Sequence, residues 1–480
     1  MRRNHLLVSL LLLAGCAPRA GMLATPRTAS SIETTQSFAG PVAAWPEVQW
    51  WHAYGDPQLD ALITEALANS PDVAAALARI RGAAAVVEQA GAVRSPSLQL
   101  NGQTTLDKQS YNNGIPAQFI PKGWNDAGRF TLGGAFDLDL WGRNRAALAA
   151  ATSEAQAAQI DATQATLLLS ASIASAYADL AQLFAERAVL ARAVGIREES
   201  LALNRGRYAA GLDNRGTEQL SATRAAAARA DLAATDEAIQ LNRNRIAALV
   251  GAGPDRGLTL TAPRITTLRP QGLPDRLALD LVGRRPDIVS ARLRSEAASS
   301  SIRSARAAFY PNLNLNALIG VQALGIDNLV DSGSTIGSVG PAISLPIFGR
   351  GRLRGELRGA EARYDEAVAS YDSALIGAVR EVADAAASIR ALDIRQREAA
   401  TALTAAESAY SIARQRYEGG LSTFLDVLAA EDTLLDRRRV SADLAARAFS
   451  LDVALSRALG GGFSETQTST SAAARGTTHG

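Results

Sequence analysis

The chain has 480 residues, with one cysteine, two methionines, three histidines and only 5% aromatic residues. So thin a supply of Cys and His leaves little for a metal or thiol centre, and no nucleotide loop or serine elbow occurs, so the sequence does not read as an enzyme. A formal net charge of +2 makes no electrostatic case for a nucleic-acid partner, and the arginines alternate with Asp and Glu as on solvated helix faces.

In chain order, Met1-Arg-Arg-Asn-His5 precedes an apolar run from Leu6 to Gly15, and Cys16 follows. A basic start, a short apolar core and small residues make a secretory leader too short to span a bilayer. The run Leu13-Ala-Gly-Cys16 resembles the bacterial lipobox, which implies diacylglycerol and palmitate on Cys16; Ala17 in place of aspartate favours sorting to the outer membrane. Residues 17–44, rich in Ala, Thr, Ser and Pro, read as an extended tether. Trp45, Trp50, Trp51 and Tyr54 either pack that segment on the body or meet a bilayer interface. Asp56-Pro57-Gln-Leu59 opens a short helix to about Asn69.

Two parallel series follow. Pro71 and Pro286 each open a helix of about 24 residues, ended by Ser95-Pro96 and Tyr310-Pro311. Alternating strands come next, starting at Ser97 and Asn312, and second strands run over 129–140 and 336–347. Phe130, Leu132, Phe136, Leu138 and Leu140 share one face, with Arg129, Thr131, Asp137 and Asp139 on the other. Trp141-Gly142-Arg143 and Phe348-Gly349-Arg350 then lead into stretches dominated by Ala, Leu, Arg, Glu and Gln, the strongest helix formers. Each is broken once by a glycine-marked turn, at 204–216 and 416–422. The outgoing arm from Arg143 would reach ~90 Å at 1.5 Å per residue, longer than ordinary globular helices.

Pro96 and Pro311 are 215 residues apart, Gly142 and Gly349 207, and Tyr208 and Tyr417 209, so the chain is a duplication. The plan is a signal peptide at 1–15, a lipidated tether at 16–58, repeats at 59–250 and 273–459 around a linker at 251–272, and a disordered tail at 460–480. Each repeat holds a β-hairpin (97–140, 312–347) and a long helical hairpin (143–250, 350–459). The short opening helix and the return arm together match the outgoing arm in length, as if stacked end-on.

Four strands with an oily face cannot close a membrane barrel, because open edges leave backbone groups unpaired in hydrocarbon and single-chain barrels begin at about eight strands. Closure therefore requires several copies, and three would supply twelve strands. Asp137 and Asp139 would then face the lumen.

The lipobox, Asp56-Pro57-Gln-Leu59, Arg284-Arg285-Pro286-Asp287-Ile288, Ala305-Arg-Ala-Ala-Phe309-Tyr310-Pro311, Phe348-Gly349-Arg350 and the tip Arg416-Tyr417-x-x-Gly420 resemble the outer-membrane factor family, over essentially the whole mature chain. The resemblance is narrower to the lipoprotein branch serving resistance-nodulation-division efflux systems. It implies a mainly α fold with a membrane β-barrel: a homotrimeric efflux duct whose twelve-stranded barrel continues into a periplasmic α-helical barrel. The implied partners are a periplasmic adaptor, an inner-membrane pump and outer-membrane lipids. The chain would be lipid-anchored in the outer membrane and extend into the periplasm. A one-step protein-secretion duct and a non-channel lipoprotein scaffold are the competing readings.

In the family the periplasmic end closes like an iris lined by acidic residues. Carried over, Asp426 is the leading gate residue, with Glu431 or Asp432 as substitutes because Ala429 stands where a second acid is often found. In the first repeat Asp213 lies in the turn and Thr217 takes the position matching Asp426, and Arg207, Tyr208, Gly211, Arg416, Tyr417 and Gly420 form an adaptor-contact or hairpin-locking set.

Overall fold

The computed structural model describes residues 21–465 apart from 266–267, 269–271 and 276, so Cys16 and the leader lie outside the described residues. The order is α1 (Pro57–Asn69), α2 (Pro71–Ala92), β1 (Ser97–Asp107), β2 (Asn125–Asp137), α3 (Arg143–Ala209) and α4 (Arg215–Leu249). A short α5 (Asp255–Leu258) follows, then α6 (Leu277–Arg284), α7 (Pro286–Ala307), β3 (Asn312–Leu324), β4 (Thr335–Ser344), α8 (Arg350–Glu418) and α9 (Phe424–Ala458). Corresponding helices match closely: α2 and α7 have 22 residues each, α4 and α9 have 35, and α3 and α8 have 67 and 69. The chain divides into two compact units: residues up to Pro26 with Arg79–Gln159 and Ser290–Tyr371, and Arg27–Ala78 with Ile160–Val289 and Asp372 onward.

The first unit holds one antiparallel sheet in the order β1-β2-β3-β4, so β1 and β4 each pair on one side only. Directly opposed residues share a face. Leu100 faces Leu132, which faces Ile319; Phe136 faces Leu315; Leu313 faces Ile343. This oily face is open, with Leu98 and Leu100 75% exposed, Ile343 75% and Val339 79%. The other face carries Gln99, Asn101, Gln103, Arg129, Thr131, Asn314 and Asn316.

The end of β2 differs from the sequence expectation. The strand stops at Asp137, and Asp139 takes a left-handed turn (φ 43°) instead of pointing from a strand. Its carboxylate accepts from the backbone N–H of Asn144 and Arg145, each at 2.9 Å, and so caps the start of α3. Trp141 stacks on Tyr310 at 4.7 Å and donates its indole N–H to Pro311 O. Asp137 is on the polar face, yet its Oδ2 accepts from the side-chain amides of Asn144 and Asn312. Both acids proposed for a lumen are therefore occupied in closing the strand–helix joint. β4 ends at Ser344, three residues before the expected end.

The second unit buries a core in which Leu59, Leu62 and Ile63 of α1 meet Ile173, Tyr177 and Leu180 of α3 and Ile246 of α4, all fully buried. Each such side chain contributes about 1.5–3 kcal/mol. One stretch of α3 is long and apolar enough to cross a membrane, and half of it is buried. Trp50, Trp51 and Tyr54 join this core rather than standing free at an interface. The described part of the stretch read as a tether, from Gly21, is docked: Arg27 N donates to Asp372 Oδ1 at 2.9 Å, and Ala43 N donates to Leu273 O at 3.0 Å. Parts of the stretches read as linker and tail are packed as well. Gly257 and Leu260 are buried, as is Phe463.

The quoted motifs are structural joints. Asp56 caps α1 by accepting from Gln58 N, and its other oxygen takes the hydroxyl proton of buried Tyr177 at 2.6 Å. Arg285 forks onto Asp287 at 2.6 and 3.0 Å and reaches Glu381 and the carbonyl of Ala458, the last residue of α9, each at 2.9 Å. The glycine after each return helix is seated on the end of an earlier short helix: Gly251 (φ 76°) lies against Asn69 O at the end of α1, and Gly460 (φ 86°) against Arg284 O at the end of α6.

Candidate functional site

Both long hairpins turn in the same way, in the second unit. Gly211 (φ 71°) and Gly420 (φ 73°) end α3 and α8 in the left-handed region. Leu212 N then bonds Arg207 O at 2.8 Å and Leu421 N bonds Arg416 O at 2.7 Å, which satisfies the last helical carbonyls. The first turn is shorter than the glycines indicate: Asn204 to Ala209 remain helical, since a single interior glycine such as Gly206 costs only ~1 kcal/mol. The return helices are capped by side chains. Asn214 Oδ1 accepts from Thr217 N at 3.1 Å, and Asp426 Oδ2 accepts from the N–H and hydroxyl of Thr423 at 2.9 and 2.8 Å.

One residue ties the two tips together. Tyr417 is buried, its hydroxyl 3.1 Å from Asn204 Oδ1 and 3.4 Å from Asp213 Oδ2, both in the first repeat. Asn204 donates its amide to Ser221 Oγ at 2.7 Å, and the Arg207 guanidinium lies 4.9 Å from the Tyr417 ring centre. Phe424 also packs against that ring, with the ring centres 5.4 Å apart. Desolvation acts to raise the Asp213 carboxyl, but hydrogen bonds from Asn214, Thr217 and Tyr417, with the Arg207 charge, hold it below the ordinary carboxylate value. Tyr417 is pushed up by burial, against the Arg207 charge and with the Asp213 charge.

Along the same hairpins is a charge cluster built around one buried acid. Glu431 has no exposed side-chain surface and accepts from Arg197 Nε at 3.2 Å. The neighbouring Asp432 accepts from Arg197 at 3.3 Å and from Arg224 at 2.8 and 2.9 Å. This knits α3, α4 and α9 together.

Of the expected tip residues, the structure gathers Arg207, Asp213 and Tyr417 into one cluster. Thr217 supports Asp213, and Tyr208, Gly211, Arg416 and Gly420 stay exposed around it. Tyr208 therefore does not copy its counterpart Tyr417. Asp426 is fully exposed, and hydrogen bonds from Thr423 hold its carboxyl low as the third-position partner of a capping box at the start of α9. Glu431 corrects the expectation of a lumen acid: its carboxylate is interior and paired. Asn204, Ser221, Arg197 and Arg224 were not singled out by sequence; polar residues inside a polar helical stretch carry no distinguishing pattern.

A family description, outer membrane efflux protein, matches residues 62–252 and 277–461, one match over each repeat. The chain belongs to the outer membrane efflux protein family. Relatives include the fusaric acid resistance protein FusA of Burkholderia cepacia, 38% identical over 73% of this chain and 68% of its own length. The multidrug resistance outer membrane protein MdtQ of Escherichia coli O157:H7 is 30% identical over 95% and 96%. The crystal structure of the outer membrane protein VceC from Vibrio cholerae superposes with a TM-score of 0.83 at 46% identity, covering 87% of this chain and 100% of that one. The efflux-channel family accounts for the open oily sheet, which belongs in an outer membrane, and for motifs spent on joints rather than chemistry.

Proposed function

We propose that this outer-membrane efflux channel acts as a homotrimer, a passive exit duct gated at its helical tips. It receives small toxic compounds from an inner-membrane resistance-nodulation-division pump through a periplasmic adaptor, and is anchored by lipid on Cys16. The observation that carries the reading is the four-stranded sheet with one oily face exposed and both edges unpaired. Each unpaired backbone group in hydrocarbon costs several kcal/mol, so the edges must meet other copies. Relatives named for resistance to fusaric acid and to multiple drugs support small-molecule cargo. The Tyr417–Asp213–Arg207 cluster, which holds the second tip to the first, supports gating there.

Reconstitution in planar bilayers tests the duct. Wild-type protein is expected to conduct weakly and Tyr417→Phe more strongly. Absence of conductance from both, and from Asp426→Asn, would sink the duct. Mass-spectrometric detection of a palmitoylated Cys16 peptide tests the anchor, and an unmodified N-terminus there would refute it.

A further inference from the structure

Glu431 is the least comfortable ionisable group at the tips. Its Oε1 has one partner, Arg197 Nε at 3.2 Å, and its Oε2 is buried with none. A carboxylate has room for about four hydrogen bonds. Every element around it contributes a titratable or charged group: Arg197 and Glu199 from α3, Arg224 from α4, Tyr410 and Arg414 from α8, and Asp432 from its own helix. Neither nearby arginine serves Glu431 alone. Arg224 Nη1 bonds both oxygens of Asp432, and Arg197 divides between Asp432 and Glu431. Asp432 is half exposed to solvent, whereas the Glu431 side chain has no exposed surface.

We propose that Glu431 is a proton-linked positioning residue of the duct: proton uptake favours the packing of α9 against α3 seen here, and proton loss favours arrangements that open this face to water. A protonated Glu431 removes a buried charge and leaves Arg197 paired with Asp432, so nothing charged is stranded. Desolvation raises the carboxyl above its ordinary value, although Arg197 opposes this. The sign follows. Between the ordinary value and the raised one, the packed form holds a proton that the opened form releases. Packing is therefore strengthened as pH falls through that window and weakened as it rises. This rests on the reading of the protein as a duct that opens at these hairpins.

Amide hydrogen exchange of the full-length assembly in detergent, corrected for the intrinsic pH dependence, tests it from about pH 5 to about pH 9. Protection of the segments around Glu431 and Arg197 is expected to fall several-fold with rising pH. Glu431→Gln should hold it near its acid level throughout. Arg197→Gln, which strands the carboxylate, should lose protection at neutral pH and regain it in acid. Wild-type protection that does not vary with pH, or a Glu431→Gln protein that keeps the wild-type slope, would overturn the proposal. Conductance of Tyr417→Phe separates the two readings. A conducting protein whose exchange ignores Glu431 retires only this proposal. A protein that never conducts retires the duct, and the exchange slope then decides the proton linkage alone.

Discussion

Tyr208 and Tyr417 occupy the same place in their repeats and do different work. Only Tyr417 turns inward, because Asn204 and Asp213 of the other hairpin receive its hydroxyl and Arg207 covers its ring. Tyr417→Phe keeps the ring and removes the hydroxyl, leaving Asn204 Oδ1 without its partner. The expected cost is about 1–2 kcal/mol of tip stability, read as faster exchange at Asn204–Thr217 with the α1 core unchanged. Asp213 adds a pH term opposite to that of Glu431. Its carboxyl is held low, so its contribution is present above the ordinary carboxylate value and is lost as pH falls through the lowered one. Asp213→Asn should therefore remove the acid-side loosening of the tip, which exchange measured below about pH 4 would show as a flat profile. Glycine punctuation in the sequence located this neighbourhood. It could not say which tyrosine turns in, since both stand in the same Arg-Tyr-x-x-Gly setting and the choice is made by a distant amide.

At the scale of elements, helix-forming composition and the prolines were enough to place the long and short helices, and arm lengths were enough to expect end-on stacking. What seats the return helices on the ends of α1 and α6 is a pair of glycines that read as ordinary linker or tail residues. A Cβ on Gly460 would stand 2.0 Å from Arg284 O, and the residue already has positive φ. Gly460→Ala is expected to destabilise the second repeat by roughly 2–4 kcal/mol, combining backbone strain with overpacking. Gly195→Ala, in the interior of α3 with open space around it, should be neutral or stabilising by up to about 1 kcal/mol. Denaturant midpoints of the two variants check this, and equal midpoints would refute the joint. The acids at 137 and 139 mark where pattern reading fails: alternation continues past the strand end, while a carboxylate two residues on has been taken by the helix N-terminus.

For the whole molecule, alternation alone revealed the oily and polar faces, but nothing in one chain counts the copies that close them. The two faces make opposite demands on a charge, and this gives the assembly its test. Leu100, mid-strand and 75% exposed on the oily face, lies opposite Leu132. An arginine there would sit in hydrocarbon at a cost of about 2–4 kcal/mol per chain near the bilayer midplane. Closure multiplies that penalty by the number of copies, so Leu100→Arg should sharply reduce assembled channels in outer-membrane fractions. Gln99 is adjacent in sequence but on the polar face, opposite Gly133, and Gln99→Arg should assemble normally while changing ion selectivity. Sedimentation of the detergent-solubilised wild type should give three chain masses. A monomer there, or equal assembly of the two arginine variants, would mean that the oily face is not a barrel exterior and that the open edges are met by something other than copies of this chain.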